Sequence, residues 1–301
     1  MLNRIKALLI RWGYRFLSAR AWRHWQSDVP YRVLQVPIDG GSLALRMYVG
    51  QDGDNKPLIV YFHGGGWVIG DLRTHHPFCQ ALCTHSGCTI VSVDYRLAPE
   101  HAYPAAHDDC LAATRWVGHH LEELGPGNGQ LILAGDSAGA NLATSTCLAL
   151  NEIERSAVVG EIVIYPVTDY YTGRYPSQRE KAKGYALSTP MLHWFWDTYL
   201  AEKTADKAPL RTTPLRATNL AVLPATLLVT AEHDPLRDEG IAFRDKLQSE
   251  GVSVQYRHFD NAEHGFACSL GVTPDFELLM SNISQWLHTL PPAGLSHRFG
   301  T

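Results

Sequence analysis

No apolar stretch in this 301-residue chain is long enough to cross a bilayer as a helix. The N-terminal run Ala7-Leu8-Leu9-Ile10 is too short for the apolar core of a signal peptide, and Arg11 interrupts it. Cysteine is sparse. The six are Cys79, Cys83, Cys88, Cys110, Cys147 and Cys268, and no two form a CxxC pair. That excludes the disulfide-dense frame of a small secreted domain and points to reduced thiols and the cytoplasm. An excess of positive charge is also missing: the formal net charge is -4, which gives no bias towards nucleic acid. Of the 15 histidines, none stands in HExxH. The pairs His75-His76 and His119-His120 would point apart on a helix, so they read as surface histidines, and no metal is expected.

What is present is the composition of a globular enzyme-sized domain. Apolar residues make up 45% and charged residues 19%, and the length suffices for one large domain with a sizeable core. From residue 31 strand-like and helix-like segments alternate. Apolar β-rich runs occupy Leu43–Val49, Leu58–Phe62, Thr89–Val93, Leu131–Ala134, Ile162–Tyr165, Thr226–Thr230 and Ser253–Phe259. Helical patterns such as Pro104–His120, Ala138–Ile153 and Ile241–Glu250 fall between them. This alternation predicts an α/β fold, with a mostly parallel central sheet covered by helices on both faces. Asp39-Gly40-Gly41 reads as a hairpin turn between the first two strands, which adds an antiparallel edge.

Two segments break the alternation. Met1–Ser27 places Ile5, Leu8, Leu9, Trp12, Phe16 and Ala19 on one helical face. It also carries Arg4, Lys6, Arg11, Arg15, Arg20 and Arg23, with no acid before Asp28. The second segment, near 169–220, is rich in aromatics. An insertion of that kind after a sheet strand is a natural lid over a site at the strand ends.

Three loops carry the chemistry. Strand Leu131–Ala134 runs through Gly135-Asp136-Ser137-Ala138-Gly139 into a helix. This is G-x-S-x-G in its required context, a sharp turn that lifts a serine hydroxyl clear of the backbone. Side chains at Gly135 and Gly139 would collide with the neighbouring strand and helix. Strand Leu58–Phe62 ends in His63-Gly64-Gly65-Gly66-Trp67. Three glycines there fit a close approach of backbone N–H groups to an oxyanion, the expected donors being Gly64, Gly65 and the Ala138 N–H. His63 is expected to brace the loop. A serine nucleophile also needs a base and a carboxylate to orient it, in chain order serine, acid, histidine. His264 follows the strand Ser253–Phe259, whereas His258 lies inside it and His288 in the last helix. Asp234 comes first after the strand Thr226–Thr230, ahead of Asp238, which is expected to begin the next helix. Glu232 and Glu263 are the remaining candidates.

The motifs His63–Trp67, Asp94-Tyr95-Arg96-Leu97-Ala98-Pro99-Glu100, Pro104, Gly135–Gly139, Asp234-Pro235-Leu236-Arg237-Asp238 and Glu263-His264-Gly265-Phe266 appear in this order. Together they resemble the hormone-sensitive-lipase-like family of α/β hydrolases, in its GDSAG-type branch. Leu187-Ser188-Thr189 and Trp194-Phe195-Trp196 look like that family's lid. The resemblance implies the α/β-hydrolase fold and a Ser137–His264–Asp234 triad. It implies a lid made of the N-terminal helix and the insertion. Short- or medium-chain acyl esters are the implied substrates, with no cofactor. The Asp94–Glu100 segment is then structural. Trp67, Trp194 and Phe266 are the expected substrate-contacting side chains. The chain divides into an N-terminal cap region at 1–30, a core at 31–168 and 218–295, and a cap insertion at 169–217.

Three other readings use the same residues or the same fold. Amide or lactone hydrolysis needs the same triad. A non-catalytic receptor on this fold, such as the plant gibberellin receptors, would lack the histidine that stands here at His264. The basic N-terminal helix can also meet a membrane surface, though packing as part of the lid is the favoured reading. A small-molecule ester is the expected partner, and a homodimer through an edge strand or the last helix suits the fold.

Overall fold

Eight strands form one sheet: β1 (Tyr31–Ile38), β2 (Gly41–Tyr48), β3 (Leu58–Phe62), β4 (Ile90–Val93), β5 (Leu131–Asp136), β6 (Val158–Ile164), β7 (Ala225–His233) and β8 (Val254–Glu263). The computed structural model describes residues 2–51, 56–125, 127–171, 173–201, 208–291 and 299. Parts of the expected insertion (172 and 202–207) and of the expected core (292–295) lie outside the described residues. The strand order is β1-β2-β4-β3-β5-β6-β7-β8. The β1–β2 hairpin sets Ile38 opposite Gly41, and β2 runs antiparallel to β4. The remaining neighbours are parallel. β3, β4, β5 and β6 are buried at every residue, which is why they read as mostly apolar runs.

The helices are α1 (Leu2–Ala21), α2 (His76–Ser86), α3 (Ala105–His119), α4 (Leu121–Leu124), α5 (Ala138–Ala149) and α6 (Glu152–Ser156). They continue with α7 (Pro176–Glu180), α8 (Thr189–Leu200), α9 (Arg237–Ser249), α10 (Phe266–Ser269) and α11 (Pro274–Leu287). Alternate side chains of each strand serve opposite faces. Val60 and Phe62 of β3 join a cluster with Ala113 of α3, Leu142 of α5 and Phe243 of α9. Ile59 and Tyr61 join the other cluster, with Phe78 of α2 and Phe276 of α11. Each such fully buried side chain contributes about 1.5–3 kcal/mol.

The helix expected over Ala138–Ile153 is shorter than its pattern. Leu150 is extended, and Asn151 caps α6 in a reciprocal capping box with Glu154. That Asn-x-x-Glu signature was readable in the sequence. All six cysteines are buried, and none is in a disulfide among the described residues. Among the described residues no helix is long and apolar enough to cross a membrane. The parallel strands end at one sheet edge, so the loops after β3, β5, β7 and β8 open on the same side.

Candidate active site

Ser137 occupies the turn between β5 and α5 with φ 54 and ψ -119, a conformation that side chains rarely adopt. The turn is pinned by Ser137 N–H donating to Ile164 O at 2.8 Å and Val167 N–H donating to Ser137 O at 3.3 Å. The flanking glycines are steric requirements. A Cβ on Gly139 would lie 1.9 Å from Phe62 O, and one on Gly135 would lie 2.3 Å from the Gly139 backbone. Strand, turn and helix therefore approach at a distance that only glycine permits.

His264 Nε2 lies 2.9 Å from Ser137 Oγ, and its Nδ1 lies 2.7 Å from Asp234 Oδ2. A carboxylate only accepts, so Nδ1 carries the proton and Nε2 is left to accept from the serine hydroxyl. Asp234 is fully buried, and its Oδ1 accepts the Leu236 N–H at 2.8 Å. The other acids serve elsewhere. Glu232 pairs with Arg237 and Lys181, and Glu263 Oε2 accepts the Ala186 N–H at 3.0 Å. Asp238 begins α9 as expected, but it also accepts the Ser177 N–H at 2.8 Å and so ties α7 to α9.

The glycine loop departs from expectation. Gly64 N–H donates to Asp136 Oδ1 at 2.7 Å, so it is not available to an oxygen in the pocket. Gly65 and Gly66 line the pocket instead. Neither of their N–H groups, nor that of Ala138 at the start of α5, has a hydrogen-bond partner among the described residues. Asp136 Oδ1 also accepts from Tyr61 Oη–H at 2.5 Å. Burial works against this carboxylate, yet His75, Tyr61 and the Gly64 N–H outweigh it and hold its pKa below the ordinary value. His63 braces the loop as expected: Nδ1 donates to Gly64 O at 2.8 Å, and the ring stacks on Tyr95 at 4.2 Å. Burial, with help from His75, pulls the His63 pKa down to about 4, so it is a neutral brace at pH 7. Tyr95 Oη–H donates to His63 O at 2.6 Å, which gives the Asp94–Glu100 segment its bracing role.

His75 is not a surface residue. It is fully buried with Nε2 3.5 Å from Asp136 Oδ1. Its partner His76 meets Tyr48 Oη at 2.8 Å through Nδ1. His75, Asp136 and Cys268 each offer a potential ligand atom within 4.8 Å of one another. Asp136 Oδ1 already accepts two hydrogen bonds there, so the group reads as support beneath the glycine loop.

The pocket over Ser137 holds about 910 Å³. Its walls include Met191, Leu192 and Phe195 from α8, and Ile10, Tyr14 and Leu17 from α1. Trp67 lines it too, stacked on Tyr199 at 4.6 Å. Trp194 and Phe266 do not. Trp194 lies beneath the Lys6 ammonium, 4.5 Å from ring centroid to Nζ. Phe266 is buried against Phe259 and Tyr165, behind the histidine. Phe195 faces the pocket because one helical position rotates a side chain by about 100°.

A model of the alpha/beta hydrolase fold family matches residues 59–268. The chain belongs to that family. This hydrolase is 38% identical over 248 residues to Esterase LipI of Mycobacterium tuberculosis (strain ATCC 25618 / H37Rv), covering 81% of this chain and 77% of that protein. It is 36% identical over 250 residues to Carboxylesterase NlhH of the same strain, covering 82% and 74%. Among solved structures, a hyperthermophilic esterase from Pyrobaculum calidifontis superposes with a TM-score of 0.88 at 32% identity, over 94% of this chain and 91% of that one. These relatives fit the hormone-sensitive-lipase-like family that the motifs resemble.

Proposed function

We propose that this hydrolase is a serine carboxylesterase acting on short- to medium-chain acyl esters. One observation carries the reading: Asp234, His264 and Ser137 form a single hydrogen-bonded line, at 2.7 and 2.9 Å, that opens into an apolar pocket of about 910 Å³. Ser137 Oγ attacks the ester carbonyl carbon while its proton passes to His264 Nε2. The new C–O bond leaves an oxyanion, held by the N–H groups of Gly65, Gly66 and Ala138. Gly64 drops out of the expected set because Asp136 already accepts from it. As the tetrahedral intermediate collapses, the bond to the alcohol breaks and His264 returns the proton to the departing alkoxide. Water then repeats the sequence on the acyl-enzyme and frees the acid and Ser137. Asp234 keeps the imidazole in the required tautomer and stabilises its cationic form. The α1 helix and the insertion act as a cap that excludes water from the acyl chain.

Relatives named as esterases support this assignment. The test is turnover of p-nitrophenyl esters of increasing chain length by the wild type and Ser137→Ala. The wild type should prefer short to medium chains. The variant should lose at least about 10⁴-fold in kcat with its thermal unfolding unchanged. Near-wild-type turnover by the variant would overturn the assignment.

A further inference from the structure

Helix α1 is built inside out. At 3.6 residues per turn, Ile5, Leu8, Leu9, Trp12 and Phe16 share a sector roughly 100° wide. The sequence pattern suggests that this sector packs inward, and the structure turns it to solvent. Leu9 is 66% exposed, Trp12 71% and Phe16 58%. Trp12 and Phe16 stack on each other with centroids 6.2 Å apart.

Polar groups hold the opposite side of the helix to the protein. Arg11 Nε donates to Val68 O at 2.7 Å, and its Nη2 donates to Ala98 O at 2.8 Å. Ser18 Oγ–H donates to Thr74 O at 2.8 Å, and Trp22, just past the helix end, donates from Nε1 to Cys268 O at 2.7 Å. These bonds fix the rotation of the helix. The apolar stripe cannot turn inward without breaking them.

An exposed stripe of five large apolar side chains calls for a partner, and its surroundings say which kind. Arg4 and Arg15 flank it on one side, Lys6 and Arg20 on the other, and all four are exposed. Among the described residues the acids ion-paired to this helix are Glu100 and Asp71, with Arg11 and Arg15. A second copy of the chain, joined about a two-fold axis, would bring the same cations together on both sides. An anionic lipid surface instead offers acyl chains to the stripe and negative headgroups to its flanks.

We propose that α1 is an interfacial docking helix, laying Ile5, Leu8, Leu9, Trp12 and Phe16 into an anionic lipid surface. Ile10, Tyr14 and Leu17, across the helix from the stripe, line the pocket. Docking therefore brings to the lipid a helix whose inner side is a wall of the pocket. Binding is read without turnover, so this claim stands or falls apart from the esterase assignment.

The experiment is co-sedimentation of the full chain with phosphatidylcholine vesicles, with and without phosphatidylglycerol. The wild type should bind the phosphatidylglycerol vesicles at least about tenfold more tightly than pure phosphatidylcholine. The triple variant Leu9→Glu, Trp12→Glu, Phe16→Glu should lose at least about tenfold of that binding while unfolding at the wild-type temperature. Arg4→Gln with Arg20→Gln should weaken only the part that depends on phosphatidylglycerol. Wild-type protein that stays in the supernatant would overturn the proposal. So would a triple variant that binds like the wild type. A wild-type dimer that the triple variant dissolves, with no vesicle binding by either protein, would assign the stripe to a second copy instead.

Discussion

Around Ser137 the apolar side chains turn inward and the turn itself is pinned by backbone bonds; around Trp12, on the outer face of the helix that supplies another wall of the same pocket, the arrangement is reversed. The sheet edge is fixed by backbone in contact with backbone, as where Gly139 meets Phe62. Helix α1 is fixed by a few side-chain bonds to loop carbonyls, with its large apolar groups outside. The nucleophile side therefore has almost no room for substitution, while the outer face of α1 has a great deal. Positioning a hydroxyl demands the first kind of construction. A surface that meets something else can be the second.

The largest effect should come from Gly139→Ala. The added Cβ would lie 1.9 Å from Phe62 O, and neither backbone can move without parting α5 from β3. A loss on the order of 4 kcal/mol or more is expected, read as a collapse of the unfolding temperature or of soluble yield. A variant as stable as the wild type would remove the steric argument for the motif. Next comes Trp22→Ala. Trp22 is buried against Phe276 at 5.3 Å and donates to Cys268 O. Denaturant titration should show a loss of about 3–5 kcal/mol.

The core contains an exception that can be titrated. Glu161, in the middle of β6, is fully buried, and neither carboxyl oxygen has a hydrogen-bond partner among the described residues. Burial raises its pKa from the ordinary 4.5 to about 8. Between those values the folded chain holds a proton that the unfolded chain releases. The contribution is full below about pH 4.5 and is lost as pH rises towards 8. Glu161→Gln should leave stability near pH 5 little changed and raise it above pH 8, by on the order of 5 kcal/mol. Parallel stability–pH curves for the two proteins would contradict this. The smallest effect belongs to Trp12→Ala, within about 0.5 kcal/mol of the wild type despite the same residue type as Trp22. A loss as large as that of Trp22→Ala would mean that the outer face of α1 is packed in solution.

The central strands were legible because each is a short, mostly apolar buried run, and the three key side chains because each follows a strand. What sequence could not reach was rotation. Three consecutive glycines do not say which N–H turns to the pocket; the Asp136 carboxylate decides that by accepting from Gly64. Trp194 and Phe195 are neighbours in the chain but lie in different directions on α8. Phe266 follows the histidine, yet Gly265, at φ 85, turns the chain so that the ring enters the core. The face of α1 was misjudged for a related reason: an apolar stripe normally marks the inner side of a helix, and here Arg11 and Ser18 have better partners inside. His75 looked like a surface residue because nothing local shows that the start of α2 packs beneath the glycine loop.

The most direct test of the account is covalent. A p-nitrophenyl alkylphosphonate should add once to the intact protein, on the peptide that contains Ser137, with activity falling in step with labelling. His264→Ala should label far more slowly at the same site. Loss of activity with Ser137 unmodified, or labelling of Ser137 at the same rate without the imidazole, would contradict the hydrogen-bonded line as the source of its reactivity.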